Sequence, residues 1–158
     1  MLHKELGSDV LIVRASEEDL PGILDLQKIA FQSEANIYGA CAVPPLSQTI
    51  GDIRVEFQLK VFLKMLIDGR LVGSIRVARN EDVVRLEKLI VHPQAQGHGF
   101  GGKLIQAAEA LFPEVRIYEL MTGQNSARNI HIYQKRGYKI VRQEVKSGII
   151  MVWLEKTR

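Results

Sequence analysis

Cysteine is nearly absent from this chain: Cys41 is the only one among 158 residues. An internal disulfide is therefore excluded, and so is a metal site built from several cysteines. Such cysteine usage is typical of a reducing compartment and predicts a cytoplasmic location. A chain of this length fits a single domain, residues 1–158, which can bury enough surface to fold without disulfides.

Long apolar runs and a strong charge bias are missing as well. No apolar run reaches the roughly 18 residues that a membrane-spanning helix needs, and residues 1–5 lack the apolar segment of a signal peptide. The net charge is only +3, with both signs interspersed along the chain, whereas a nucleic-acid-binding face usually shows a stronger basic bias. The sequence therefore predicts neither a membrane nor a nucleic-acid partner.

The order of apolar patterns and turn signals predicts a mixed α/β (α+β) fold. It contains seven strands and four helices in the order βααβββαβαββ. The Asp68-Gly69 pair between two strands is a two-residue hairpin signal, so the middle of the chain is predicted as an antiparallel meander. The predicted strands are 9–14, 60–67, 70–78, 83–91, 115–121, 139–145 and 149–154, and the predicted helices are 16–31, 48–58, one ending at 112, and 126–136.

A glycine-rich segment follows the fourth predicted strand. It reads Gly97-His98-Gly99-Phe100-Gly101-Gly102 and leads into a helical pattern. A strand, glycine loop and helix in this order let backbone N–H groups crowd a phosphate at a helix N-terminus, where the helix dipole also favours anions. The segment therefore predicts a site for a phosphorylated cofactor, and a turn selected only for tight packing is the alternative.

The same glycines match the G-x-G-x-x-G pattern of dinucleotide-binding folds, and Glu119 lies 17 residues past Gly102. Three observations oppose that interpretation. Residues 93–96 separate the strand from the first glycine, three antiparallel strands precede the motif, and only one more helix follows it. A Walker A loop is excluded because no Gly-Lys-Ser/Thr follows the glycines.

Two motifs resemble those of the GNAT (GCN5-related N-acetyltransferase) superfamily. Residues 96–101 are similar to its Q/R-x-x-G-x-G/A signature, and residues 89–93 look like its fourth strand and the exit from it. The segment 122–138, with Asn129 and Tyr133, resembles its second cofactor segment. The element order matches along essentially the whole chain. The resemblance implies one N-acetyltransferase domain whose seven-stranded sheet has two central parallel strands splayed at the cofactor site.

The resemblance implies acetyl-CoA as the cosubstrate and no metal. The backbone of residues 89–91 would pair with the pantetheine arm as an added strand, residues 97–102 would hold the pyrophosphate, and Asn129 would bind the pantetheine amides. In many relatives the asparagine precedes the tyrosine by seven residues, where this chain has Ser126. The implied cofactor-binding residues are Leu89, Ile90, Val91, Gln96, Gly97, His98, Gly99, Phe100, Gly101, Gly102, Asn129 and Tyr133.

Acetyl transfer to an amine needs a base and an acid, because an amine with a pKa near ~10.4 is almost wholly protonated at pH 7. Glu87, on the strand that would hold the thioester, is the candidate base. The alternative for Glu87 is a salt bridge to Arg85 or Lys88. The resemblance implies Tyr133 as the acid that protonates the departing thiolate, and a packed aromatic side chain is the alternative.

The acceptor side is less determined by the sequence. The family builds it from the first two helices, their loop and the late strands, and Glu34, Tyr38, Asp52 and Glu56 could attract a cationic amine there, although a solvated polar loop is equally compatible. The predicted function is transfer of an acetyl group from acetyl-CoA directly to a primary amine of a small molecule or peptide. The alternative is a non-catalytic module that binds or senses acyl-CoA. A homodimer is compatible with either.

Overall fold

The computed structural model describes residues 9–158, so the expectation drawn from residues 1–5 lies outside the described range. Within that range the chain forms seven strands and five α-helices. The strands are β1 (Val10–Arg14), β2 (Val61–Ile67), β3 (Arg70–Asn80), β4 (Val83–Val91), β5 (Ile117–Gly123), β6 (Lys139–Lys146) and β7 (Ile149–Thr157). The helices are α1 (Leu20–Ala30), α2 (Gln32–Tyr38), α3 (Ile50–Leu59), α4 (Phe100–Ala110) and α5 (Ala127–Lys135).

All seven strands join one mixed sheet in the order β1-β2-β3-β4-β5-β7-β6. The β4–β5 pair is parallel, and the other neighbours are antiparallel. The predicted fold class is confirmed, and each of the four predicted helices has a counterpart. The structure adds α2, which follows α1 after Phe31 and ends at Tyr38, just before Gly39, where φ is +89°.

The two parallel strands pair over only a short stretch. Residues 83–85 of β4 pair with residues 117–119 of β5. Beyond this stretch β4 stays paired with β3 as far as Val91, and β5 stays paired with β7 as far as Gly123. The predicted splay is therefore present, and it opens a gap in the middle of the sheet.

A bulge in β4 lies beside this gap. The register of β3 with β4 shifts between Ser74 and Arg76, so that Lys88 and Leu89 stand opposite Ile75 alone. Lys88 has a φ of +46°, in the left-handed region that residues other than glycine seldom adopt. Because a bulge bends its strand and increases the local twist, it accounts for β4 turning away from β5.

Helices cover the sheet on both faces. Helix α4 packs on β2, β3 and β4 and contributes Leu104 and Ile105 to the larger core. Helices α1 and α3 pack on the opposite face around a smaller core that includes Ile23, Ile53 and Phe62. Among residues 9–158, no helix is long and apolar enough to cross a membrane.

Candidate active site

A cavity of about 810 Å³, here called the first cavity, lies between the end of β4, the glycine loop, α5 and the junction of α1 with α2. Ten of the twelve predicted cofactor-binding residues line it. His98 and Tyr133 are not among the lining residues, and the roles of all twelve stay predictions. The predicted residues that line the first cavity are Leu89, Ile90, Val91, Gln96, Gly97, Gly99, Phe100, Gly101, Gly102 and Asn129.

The glycine loop needs glycine for its backbone conformation. Gly97 and Gly99 have φ of +85° and +79°, which is costly for any residue with a Cβ. An added Cβ at either position would meet no atom of the described chain within 4 Å. The loop surface therefore stays open to a group as bulky as a phosphate.

The N-terminus of α4 faces the same cavity. Gly99 is the N-cap, and the first bond of the helix runs from the Lys103 N–H to the Gly99 carbonyl at 3.2 Å. The N–H groups of residues 100–102 come before that bond and have no acceptor within the helix. These N–H groups and the helix dipole suit an anion.

Basic side chains of α5 and its C-terminal end also line the first cavity. Arg128, Lys135 and Arg136 are among the lining residues, and the sequence analysis did not assign them to the site. The spacing of Arg128 and Lys135 was the available signal, because residues seven apart share one face of a helix. Arg136 also covers Gly102, where an added Cβ would lie 2.3 Å from its Nη2. The lining therefore adds positive charge beside the glycine loop.

Gln96 holds the loop in place through its side chain. Its Nε2 donates to the Val91 carbonyl at 3.0 Å, and its Oε1 accepts from Arg128. His92, one residue past β4, accepts the Gln94 N–H on Nδ1 at 3.1 Å. Both side chains thus stabilise the turn that leads from β4 to the glycine loop.

A second cavity, of about 670 Å³, adjoins the first. It is bordered by α2, the loop before α3, the splayed strands β4 and β5, and the β6–β7 turn. Phe31, Glu34, Leu89 and Asn129 line both cavities. The two spaces therefore meet beside the gap between β4 and β5.

Tyr133 lies in the wall of the second cavity with 8% of its surface exposed. Burial raises the pKa of its phenol, and the charge of Glu34 raises that pKa further. The hydroxyl therefore keeps its proton at neutral pH. Asn129 lies one helical turn before Tyr133, so both side chains share a face of α5.

A directional chain of hydrogen bonds ends on Glu34. Ser126 Oγ donates its single proton to Glu34 at 2.6 Å, because a carboxylate can only accept. The Tyr38 hydroxyl, 2.8 Å from Ser126 Oγ, must then donate to it, and Tyr38 accepts the Asn125 N–H at 3.0 Å. Asn129 Nδ2 also donates to Glu34, at 2.9 Å. Glu34 is thereby fixed between the two cavities by neutral groups.

Glu87, the predicted base, lines the second cavity and forms an ion pair with Lys60 at 2.7 Å. The sequence analysis considered a salt bridge to Arg85 or Lys88, and those partners are wrong. Arg85 pairs with Glu119 at 2.6 Å, and Lys88 pairs with another carboxylate at 3.0 Å. Lys60 adjoins β2, two strands away from β4, so no local pattern could reveal it. The catalytic role of Glu87 stays a prediction.

The carboxylate that binds Lys88 is Glu56, which is buried behind Gln48 and Lys88, two residues that line the second cavity. Arg76, itself 1% exposed, donates to Glu56 at 2.9 Å, and Gln48 donates at 2.7 Å. Burial alone would raise the pKa of Glu56, but Arg76, Gln48 and Lys88 together lower it to about 2. Glu56 is therefore committed to internal partners. Through Lys88 it also holds the bulge of β4.

Asp52, another candidate for attracting an amine, serves a local purpose. It accepts the Thr49 N–H at 2.9 Å, and its own N–H donates to Thr49 Oγ1 at 3.1 Å. This reciprocal pair is a capping box, which begins α3 in spite of Gly51.

Across residues 9–158, no group of three or more His, Cys, Asp or Glu side chains could hold a metal ion.

Comparison with known protein families identifies the family of this chain. Residues 24–138 match the Acetyltransferase (GNAT) family. The chain belongs to the GNAT family. The mixed seven-stranded sheet with its parallel β4–β5 pair is the fold of this family.

Two proteins of Bacillus subtilis (strain 168) are similar in sequence to this GNAT chain. The UPF0157 protein YqkA is 26% identical over 117 residues, which are 74% of this chain and 34% of YqkA. The uncharacterized protein YrkN is 28% identical over 138 residues, which are 84% of this chain and 74% of YrkN. The chain thus spans about a third of the length of YqkA.

Solved GNAT structures share the fold. The PaiA N-acetyltransferase of Thermoplasma acidophilum, in complex with coenzyme A, superposes with a TM-score of 0.76 at 20% identity, over 95% of this chain and 99% of that one. YncA of Salmonella typhimurium, with acetyl-CoA, gives a TM-score of 0.71 at 20% identity, over 94% of this chain and 93% of that one. At 20% sequence identity, the structural similarity to these two proteins shows a shared fold only.

Proposed function

We propose that the protein transfers an acetyl group from acetyl-CoA directly to a primary amine of a small molecule or peptide. The observation that carries this proposal is the junction of the two cavities beside the gap between β4 and β5, with the protonated Tyr133 in the wall of the second. One cavity offers anion-binding groups and the other offers acid–base groups. A two-substrate transfer needs both kinds of site within reach of each other.

The residues of the first cavity fit coenzyme A. The free N–H groups at the start of α4 and the open glycines would hold the pyrophosphate, with positive charge from Arg128 and Lys135 nearby. Residues 89–91, beside the gap, would pair with the pantetheine arm. Asn129 must turn its NH₂ group to Glu34, so its Oδ1 is left to accept an amide N–H of that arm.

The transfer balances with the groups present. The amine nitrogen forms a bond to the acetyl carbon, and the carbon–sulfur bond of the thioester breaks. Tyr133 gives its proton to the leaving sulfur and regains one from the nitrogen, which loses its last surplus proton as the amide forms. An ammonium ion must lose one further proton before attack, and Glu87 is the proposed acceptor of that proton, directly or through water.

A panel of primary amines tests the proposal, with release of the coenzyme A thiol as the measurement. We expect acetyl-CoA-dependent thiol release with some amines and about a 100-fold lower kcat in Tyr133→Phe, the range for loss of a general acid. Tyr118→Phe is the matched control, since Tyr118 is buried among α4 and β5 and bonds only to backbone carbonyls. Tight binding of coenzyme A without turnover across the panel would favour the non-catalytic acyl-CoA-binding module instead.

A further inference from the structure

One carboxylate of the second cavity differs from the others in its partners. Glu34 accepts hydrogen bonds from Ser126 and Asn129, both neutral, and among residues 9–158 no cation lies within ion-pair distance of it. It is half-buried and forms part of the wall of both cavities. A partly desolvated carboxylate without a counter-charge favours a cationic ligand.

The other charged groups of that cavity already have local partners. The anions are Asp52, which caps α3, and Glu87, which pairs with Lys60. The cations pair with acidic residues. These pairs are Arg85 with Glu119 at 2.6 Å, Lys88 with Glu56 at 3.0 Å, and Lys146 with Glu144 at 3.7 Å. Glu34 is thus the charged group of this cavity whose charge is left for a ligand to neutralise.

The position of Glu34 also suits the chemistry of transfer. Its carboxylate is close enough to Tyr133 to raise the pKa of that phenol, and its partner Asn129 reaches into the first cavity. The bonds from Ser126 and Asn129 fix the carboxylate before any ligand arrives. A cation bound to it would therefore lie at the junction of the two cavities.

We infer that Glu34 binds the ammonium group of the acceptor and selects primary amines that are cationic at neutral pH. The inference rests on the proposed function in giving the bound amine the role of acetyl acceptor. It makes Glu34 a specificity-determining residue of the second cavity. The proton-accepting role proposed for Glu87 is separate from it.

Equilibrium binding tests the inference without turnover. Trp153, the only tryptophan of the chain, lies in the wall of the second cavity and reports on ligands there. We would titrate n-hexylamine and n-hexanol into the protein with saturating coenzyme A, which cannot donate an acetyl group, and follow Trp153 fluorescence. The wild-type protein should bind the amine about 10- to 100-fold more tightly than the alcohol, the factor for one charge-assisted hydrogen bond.

The variant Glu34→Gln should lose this preference and bind both ligands within about threefold of each other. Glu18→Gln removes an exposed carboxylate from a turn outside both cavities and should keep it. Equal affinity for amine and alcohol in the wild-type protein would overturn the inference, and so would an unchanged preference in Glu34→Gln. The wild-type comparison does not depend on the folding of any variant.

The proposed function and the inference on Glu34 can fail independently of each other. If hexylamine binds through Glu34 but no amine releases thiol from acetyl-CoA, the cation site stands and acetyl transfer to amines does not. If amines are acetylated but Glu34→Gln keeps the KM of the wild-type protein for them, acetyl transfer stands and the assignment of Glu34 is wrong.

Discussion

Replacing Glu56 by glutamine should weaken the fold, because it removes the negative charge on which a buried cluster depends. In the native protein Glu56 neutralises Arg76, which is 1% exposed, at 2.9 Å, and it also binds Lys88 at 3.0 Å. Glutamine keeps the shape and one acceptor but leaves these cations without their counter-charge. Breaking a buried pair from one side usually costs about 3–5 kcal/mol.

The lowered pKa of Glu56 gives a second way to calculate how much its negative charge contributes to the free energy of unfolding. The pKa of Glu56 falls from its ordinary 4.5 to about 2 in the folded chain. At 1.36 kcal/mol per pKa unit, ionised Glu56 contributes about 3.4 kcal/mol at pH 7. This contribution is complete above the unfolded-state pKa and is lost as the pH falls through the folded-state pKa. At pH 3.5 about 2 kcal/mol of it should remain.

Urea unfolding of the wild-type protein and Glu56→Gln, at pH 7 and at pH 3.5, measures both values. The variant should be less stable by about 3 kcal/mol at pH 7 and by about 2 kcal/mol at pH 3.5. Glu144→Gln is the control, since Glu144 is 40% exposed beside Lys146, and it should change stability by less than about 0.5 kcal/mol. A loss below about 1 kcal/mol at pH 7, or a loss independent of pH, would refute the reasoning.

Three glycine substitutions, one of them a control, test the backbone of the site. Gly123→Ala would place Cβ 2.1 Å from the Tyr38 hydroxyl, so we expect the free energy of unfolding to fall by about 1–3 kcal/mol and Tm to fall with it. Gly101→Ala is the control, because its Cβ would meet no atom closer than 3.7 Å and should not lower Tm. Equal Tm values for the two variants would contradict this prediction. Gly99→Ala forces a Cβ into a φ of +79° and should raise the KM for acetyl-CoA, whereas an unchanged KM would count against the pyrophosphate role.

Local signals in the sequence predicted most of the helices and strands and their order, whereas α2 was missed and the splay of the sheet was expected from the family resemblance. Asp68-Gly69 and Ser147-Gly148 form two of the hairpin turns, and both residues of each have positive φ, 50° and 80° in the first and 53° and 77° in the second. Turns of this kind match the twist of the strands they join, so the sequence marks them clearly. The strand periodicity between such turns then determined the order of elements.

The site was only partly predictable, because its central contacts join distant parts of the chain. The bond between Glu34 and Ser126 spans 92 residues, and the bond between Glu34 and Asn129 spans 95. In the sequence analysis Ser126 stands only in the place of the family's asparagine, and that interpretation includes no carboxylate partner from α2. Spacing can place residues on one helix face, but it cannot choose a partner on another element.

The contacts of α2 have a mechanical consequence. The gap divides the sheet into a part with β1 to β4 and a part with β5 to β7, and the only direct strand pairing between these parts in the described chain is that of residues 83–85 with 117–119. Helix α2 continues from α1, which packs on the first part, yet Tyr38 and Glu34 bond to residues that follow β5. Helix α2 thus bridges the gap between the two parts of the sheet. If one part moved relative to the other, α2 would move with it, so the width of the gap and the orientation of the Glu34 carboxylate are mechanically coupled.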